Sequence, residues 1–589
     1  MAFSTNLRPC FSSFGRKNIT SGSNGEKPLM VQCCCLGEKH AQKLKEAKQL
    51  FTRRQYSVAR DDQVLMSSCP VETLALIDAV QRLGIDHHFQ ETIEAVLHDE
   101  FSATRMAAAA DRLREDGLLE VSLSFRLLRQ QGHSIPSDVF HRFKNDEGKF
   151  QPKLLGHQNV QALIQLYEAS QWMTAGEDIL REAGEFSARR LRSWIAPKPS
   201  QYYSVVNDVI GLLATGEAVA NVLKHPYHKS IPRLVIKDYL SSFGATITSK
   251  RQSRYVETLK DLAKLDLKMN QAVHQNELDQ LSRWWDIEVC LAANVGRDQL
   301  LVKASSWAMA TLAGSQFSGY RVELAKIIAL VKLIGNIFDS YGSLEVLTLF
   351  SQTVTRWDTE TTDKLPEFMR VCFMTLYHMT NQIGYKVYIK HGRNPMRSLQ
   401  QSWAKLFEAF LVKARSLRTE ECRKSDDCLR TGIVTSGVPL LLVHFFFMLG
   451  LGLTEQNVGL VDGDEPPLIT SVAKILRLSD ELSSTYEEGV GYDVGSHVDC
   501  YLKENPGLTV SEARKHVVEM IEDTWKQLNH EYLSPAVPFP TVFGKAVVDS
   551  AKMAPLMYEI GLDDDDDQES SDIDCIPSLQ QYHNQPASV

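Results

Sequence analysis

The sequence predicts an all-α protein of two helical domains, and three observations carry that expectation. Apolar residues recur at helical spacing over most of residues 70 to 560. Strand-like alternation is scarce, and stretches such as Thr104 to Leu118 are rich in the helix formers Ala, Arg, Leu and Glu. Turn signals at Gly132–Pro136, Asp146–Gly148 and Lys198–Ser200 fall between segments of helix length. In the first domain, Leu74, Ile77, Val80, Leu83 and Ile85 share one apolar face, as do Ile93, Val96 and Leu97. No internal repeat of fixed period occurs, which argues against a solenoid.

Two X-Pro steps, His225-Pro226 and Ile231-Pro232, break helices. A polar link follows (Ser241, Ser242, Gly244, Thr246 to Ser249), and helical periodicity restarts beyond it. The expected domains are therefore 50–245 and 250–562. Residues 1–40 read as a transit peptide: the first 25 hold no Asp or Glu, but carry Arg8, Arg16, Lys17 and many hydroxyl side chains. A plastid location follows, with the cytoplasm as the alternative. From Asp563 to Val589 the chain has eight acids and no Lys or Arg, the composition of a solvated, disordered tail.

With 64 basic and 73 acidic residues the net charge is −9, and without that tail the body is close to neutral. A basic nucleic-acid footprint is excluded. The longest apolar run, Val438 to Leu453, is 16 residues with a His inside. It falls short of the roughly 20 that span a bilayer, so a buried core helix is expected and no membrane span. Eleven cysteines in 589 residues are too sparse for a disulfide scaffold. Cys33 to Cys35 form a run, and Cys422 and Cys428 stand six apart without a His; reduced thiols are expected.

Three stretches bear chemistry. In ILRLSDELSSTYEE (475–488), Asp480, Ser484 and Glu488 stand at i, i+4 and i+8, each about 40° round a helix from the last. Two carboxylates and a hydroxyl are hard oxygen donors of the kind magnesium takes, and Arg477, one turn earlier, suits a phosphate. Spacing alone favours a solvated polar helix face. In LVKLIGNIFDSYGSLEVLTLF (330–350), one acid, Asp339, stands on an apolar helix. Upstream, Arg297 could meet a phosphate and Trp307 could offer its ring to a cation; a surface ion pair and a core Trp are the plainer readings.

Taken together and in order, these stretches resemble the plant terpene synthases over nearly the whole chain. IDAVQRLGIDHHF (77–89), SDVFHRFKNDEGKF (137–150), YGSLEVLTLF (341–350), TGIVTSG (431–437) and VDCYLKE (498–504) are similar to that family's helices. The resemblance implies a C-terminal class I domain that ionises prenyl diphosphates and an N-terminal relic α-barrel-like domain without catalytic function. It implies magnesium or manganese, up to three ions, held by Asp339, Asp480, Ser484 and Glu488. Diphosphate would meet Arg297, Arg477, Asp339 and Asp480, with Asp339, Asp480 and Trp307 as the catalytic set. A monomer is expected. Arg53-Arg54 lacks the Trp that follows eight residues later in many cyclising members, and RDQ (297–299) stands where Arg-x-Arg is common. Both departures resemble the clade making acyclic alcohols such as linalool from geranyl diphosphate or nerolidol from farnesyl diphosphate.

Two further departures bear on activity. The DDxxD positions read Gly335-Asn336-Ile337-Phe338-Asp339, so one carboxylate of three remains. Trp307 follows Arg297 by ten residues where the resemblance implies nine, so one of the two is misaimed or a bulge absorbs the step. The alternatives are a paralogue that only binds prenyl diphosphate, and a non-catalytic helical interaction protein.

Overall fold

In the computed structural model, the described residues are 37–49, 70–100, 117–150, 160–195, 216–232, 236, 239–240, 250–289, 297–419, 424–463, 466–484, 495–534 and 539–557. Glu488, Cys33 to Cys35, Cys422, Lys198–Ser200, residues 104–116 and the acidic tail lie outside them. Among the described residues there is no β-strand, only an isolated bridge between Lys144 and Phe150.

The first core is built by α1 (37–49), α2 (Pro70–Arg82), α3 (Gln90–Glu100), α4 (Gly117–Gln130), α5 (Val160–Ser170), α6 (Asp178–Ile195), α7 (Gly216–Lys224) and the start of α8 (Lys250–Trp284). The faces read from the sequence are the ones buried here: Leu74, Ile77, Val80, Leu83, Ile85, Ile93, Val96 and Leu97 are all closed to solvent. A buried charge network locks the layers. Arg82 binds Asp78 (3.0 Å) and Glu168 (3.0 Å), Arg126 binds Asp78 as well, and Glu168 accepts from the Tyr227 backbone N–H (2.9 Å). Each buried charge is thus matched, without which burial would be prohibitive.

The second core begins at the end of α8. It continues through α9 (Arg297–Thr311), α10 (Ser318–Ser340), α11 (Leu344–Arg356), α12 (Glu367–His391), α13 (Met396–Thr419), α14 (Ser425–Thr435), α15 (Val438–Leu449), α16 (Glu455–Asp462), α17 (Pro467–Ser484), α18 (His497–Glu504), α19 (Val510–Leu533) and α20 (Thr541–Ala551). Helix α15 is the apolar run of the sequence. Gly437 (φ 77°) opens it, Pro439 sits in its first turn, Gly450 (φ 73°) ends it, and all its residues are buried. Ser425–Leu449 is the one described stretch long and apolar enough to cross a membrane, and it lies mostly inside the protein.

The domains meet at Asn529 of α19. Its amide donates to the carbonyls of Gln171 (3.0 Å) and Met173 (2.9 Å), so its oxygen is left to accept from His228 Nε2 (2.8 Å). The His228 ring lies tilted against Trp172 and meets Trp525 edge-on, and Tyr532 donates to the Gln130 carbonyl (3.1 Å).

His444 is the one ionisable group in α15. Its Nδ1 donates to the Leu440 carbonyl (2.9 Å) and its ring meets Trp403 edge-on. Burial pushes its pKa down to about 4 from an ordinary 6.5. The unfolded chain therefore binds the proton first. Stability from this group is complete above about pH 6.5 and is lost as pH falls towards 4, by roughly 3 kcal/mol in all. Urea denaturation from pH 7 to 4 should show that decline, and His444→Leu should flatten it. Equal slopes in the two proteins would refute the assignment.

Candidate active site

Helix α17 forms one wall. Val472, Ala473, Ile475, Leu476, Leu478 and Leu482 bury its apolar face, which leaves Arg477, Asp480 and Glu481 to the polar side. Glu481 is closed to solvent. One of its oxygens binds Arg477 Nε (2.6 Å) and the other accepts from the Val498 backbone N–H (3.2 Å) at the start of α18. Arg477 is thereby fixed, with Nη1 3.5 Å from Asp480 Oδ2. Asp480 is half-exposed, with 49% of its side chain open to solvent. Gly432 of α14 makes room for this arginine: a Cβ there would stand 2.9 Å from Arg477 Cγ. Ser484 is the last residue of α17, and neither its side chain nor Glu488 is among the described residues.

The end of α10 carries the other acid. Gly335, Ile337 and Phe338 are buried, while Asn336 and Asp339 are exposed. Asp339 Oδ1 lies 3.3 Å from Lys413 Nζ of α13. Phe338 turns into the core, stacking on Phe350 and Phe410 and meeting Phe407 edge-on. A Cβ at Gly335 would touch the Phe410 ring at 3.4 Å. Arg418 of α13 donates to the Gly342 carbonyl just beyond (3.0 Å).

Arg297 opens α9. It pairs with Asp286 (2.8 Å) and donates to the Ser282 carbonyl (3.3 Å) at the end of α8, while its buried Nε has no hydrogen-bond partner. Helix α9 runs as a regular α-helix from Arg297 to Thr311, so no bulge absorbs the ten-residue step. Arg297 and Trp307 therefore point about 80° apart. Trp307 is half-buried and packs on Ile231, Ala310 and Met553 as well as on the second core.

The acid-bearing end of α10 and the α17 wall are linked through neighbours. Helix α13 packs on α10 and α14, α14 packs on α17, and α15 touches α10 and α17. Four features here have no local sequence signal, because each is a long-range contact. They are Lys413 beside Asp339, Gly432 beside Arg477, the grip of Glu504 on Ser425 and the Cys428–Cys500 disulfide. Cys428 and Cys500 join α14 to α18, where the sequence led us to expect reduced thiols. The cleft edged by Lys405 and Asp462 and floored by Val443 is lined by none of the motif residues.

The architecture is two all-α domains, the second presenting an arginine–carboxylate wall and an acid-bearing helix end, and it is the class I fold of the terpene synthases. The chain matches the family description "Terpene synthase family, metal binding domain" over residues 288–527 and "Terpene synthase, N-terminal domain" over residues 18–210. It is 42% identical to "Probable terpene synthase 4" of Ricinus communis, over 90% of this chain and 88% of that protein. It is 36% identical to "S-(+)-linalool synthase, chloroplastic" of Arabidopsis thaliana, over 85% of this chain and 83% of that protein. Its structure resembles isoprene synthase from grey poplar leaves, solved with three Mg2+ ions and dimethylallyl-S-thiolodiphosphate. That likeness has a TM-score of 0.79 and 26% identity, over 93% of this chain and 97% of that one. The chain belongs to the terpene synthase family.

Glu481 and Asp480 should differ sharply on truncation. Glu481→Ala breaks the 2.6 Å pair with the mostly buried Arg477 and removes the acceptor of the Val498 backbone N–H, and should destabilise by about 2 kcal/mol. Asp480→Ala removes a half-exposed group and should cost under about 1 kcal/mol. Urea denaturation measures both, and equal losses would contradict the geometry.

Proposed function

We propose that the chain ionises geranyl or farnesyl diphosphate, as a carbon–oxygen lyase, and releases an acyclic alcohol, linalool or nerolidol. The observation that carries this is the α17 wall, where Arg477 is held by buried Glu481 beside half-exposed Asp480. The linalool synthase relative supports the acyclic direction, and its chloroplastic name supports a plastid location over the cytoplasm.

The donor set fits an oxygen-seeking divalent ion, magnesium or manganese, on one wall better than on the other. On α17, Asp480 offers open carboxylate oxygens, and Ser484 and Glu488 continue its face in sequence. On α10, Gly335 offers no ligand, Asn336 is neutral and Asp339 already faces Lys413. We assign one ion to Asp480, Ser484 and Glu488, and a weaker one to Asp339. Such ions supply positive charge that stabilises the departing diphosphate.

The chain's own residues do the rest. Arg477, its fork fixed by Glu481, meets phosphate oxygens, and Arg297 is a second cation for them. The allylic C–O bond breaks with its electron pair leaving on diphosphate. With Arg297 assigned to diphosphate, Trp307 points about 80° away and packs against Ile231, Ala310 and Met553, so it is not assigned to the cation. Water adds through oxygen at the tertiary carbon and gives up one proton, which yields the alcohol. The chain acts as a monomer.

A second reading, a paralogue that binds prenyl diphosphate without turning it over, is favoured by Gly335, Asn336 and the Lys413–Asp339 pair. Incubating the full chain with each diphosphate and magnesium, then identifying volatiles by mass, separates the two. We expect linalool or nerolidol from the native chain, and about tenfold more from the Gly335→Asp/Asn336→Asp variant. A silent native chain with an active variant selects the binding-only reading. No diphosphate release and no diphosphate binding by either protein overturns both.

A further inference from the structure

In the first domain, far along the chain from the motif residues, three imidazoles converge on one carboxylate. Asp266 of α8 receives His88 Nε2 at 2.8 Å, His40 Nε2 of α1 at 3.4 Å and His87 Nε2 at 3.5 Å, all at the same Oδ1. His87 and His88 belong to a 3-10 turn, Asp86–His88, between α2 and α3. Asp266 and His40 are 7% and 8% exposed, and His40 Nε2 is buried with no well-directed hydrogen bond. The other carboxylate oxygen is held by Asn270 Nδ2 at 2.7 Å, which leaves Oδ1 aimed at the imidazoles.

Hydrogen bonding accounts for one of these imidazoles and not for the set. The carboxylate oxygen satisfies His88 and leaves His40 Nε2 unmatched, an arrangement that buried polar groups rarely keep without a further partner. The candidate atoms of His40, His88 and Asp266 all lie within 4.8 Å of one another. A tetrahedral zinc ion with bonds near 2.0–2.1 Å holds its ligand atoms about 3.3 Å apart. The 3.4 Å spacing of His40 from Asp266 Oδ1 is close to that edge, and His88, at 2.8 Å, reaches it by moving back about half an ångström. Imidazole nitrogen selects zinc over magnesium, and an outer amide holding the carboxylate is the usual support of such a site.

We propose that His40, His88 and Asp266 bind a zinc ion whose fourth position is filled by water. The ion fastens α1 to α8, where Lys43 already pairs with Asp261 (2.9 Å) and Ala47 enters the first core. Its role is structural, and it is independent of the chemistry at α10 and α17.

The test is a zinc titration of the full, tag-free chain after chelator treatment, in excess magnesium so that the oxygen-ligand sites are occupied. We expect one equivalent of zinc per chain, a raised Tm, slower proteolytic release of α1, and the visible absorption of tetrahedral cobalt when Co2+ replaces zinc. His40→Ala and Asp266→Asn should each weaken binding at least about tenfold. Their circular dichroism should match that of the native chain, which separates loss of the ion from loss of the fold. Changing Cys33, Cys34 and Cys35 together to Ser should leave the equivalent intact. The proposal is overturned by unchanged zinc stoichiometry in His40→Ala/His88→Ala, by loss of zinc in the cysteine variant alone, or by no saturable binding at micromolar zinc.

Discussion

Both cores depend on helix α8, a single element of 35 residues. Val256, Leu259, Leu262 and Ala263 enter the first core from its beginning, and Leu281 enters the second from its end. A continuous helix transmits no slack, so the two cores hold a fixed spacing set by 1.5 Å of rise per residue. Its second half is clamped by Glu277, whose two oxygens take Arg321 of α10 at 2.9 and 2.6 Å. Arg321 is itself closed to solvent and also donates to the carbonyls of Leu312 and Gly314 in the turn before α10. Such a pair stabilises only because all three guanidinium nitrogens are engaged; removing either partner would leave a buried charge without its ion pair. The helix that carries Asp339 is therefore positioned by the one that joins the domains.

The two walls of the site are built by opposite means. On α17, a buried carboxylate holds a mostly buried guanidinium, and the same carboxylate caps the next helix. Arg477 thus keeps one orientation without substrate, so little ordering cost remains when an anion arrives. On α10, the acid is exposed and already answered by Lys413. An incoming cation must displace that lysine, whereas an incoming diphosphate gains it as a partner. Under the proposed function, the same pair would weaken a metal at Asp339 and offer a positive group to phosphate.

Helix content and the buried run Val438–Leu449 were legible in the sequence because both rest on local periodicity and composition. Of the face expected from Arg477, Asp480, Ser484 and Glu488, the described side chains are Arg477 and Asp480, which stand one helical turn apart. The sequence placed the domain break at the prolines and polar link of 225–249; α8 starts at Lys250 and serves both cores. What stayed hidden depends on contacts between distant segments. Nothing around Lys413 marks it as the partner of Asp339, and nothing around Gly432 shows that an arginine crosses its face. Cys428 and Cys500 stand 72 residues apart with no shared motif. His40 and Asp266 are likewise joined only by the fold.

Gly335 is legible as a missing carboxylate, but the structure gives it a second meaning. Phe338 stacks on Phe350 and on Phe410, and the Phe410 ring lies in contact with the place where a side chain at 335 would begin. A methyl group fits there at ordinary contact; a carboxylate would have to leave along the ring face or move it. The Phe410 ring therefore limits the directions a longer side chain at 335 could take. Asn336 has no such constraint, being exposed on the same turn. A carboxylate at 336 should thus be accommodated without repacking, while one at 335 tests whether Phe410 can yield by a few tenths of an ångström. Where it cannot, the loss of the first acid is fixed by the core behind it and not by that one residue alone.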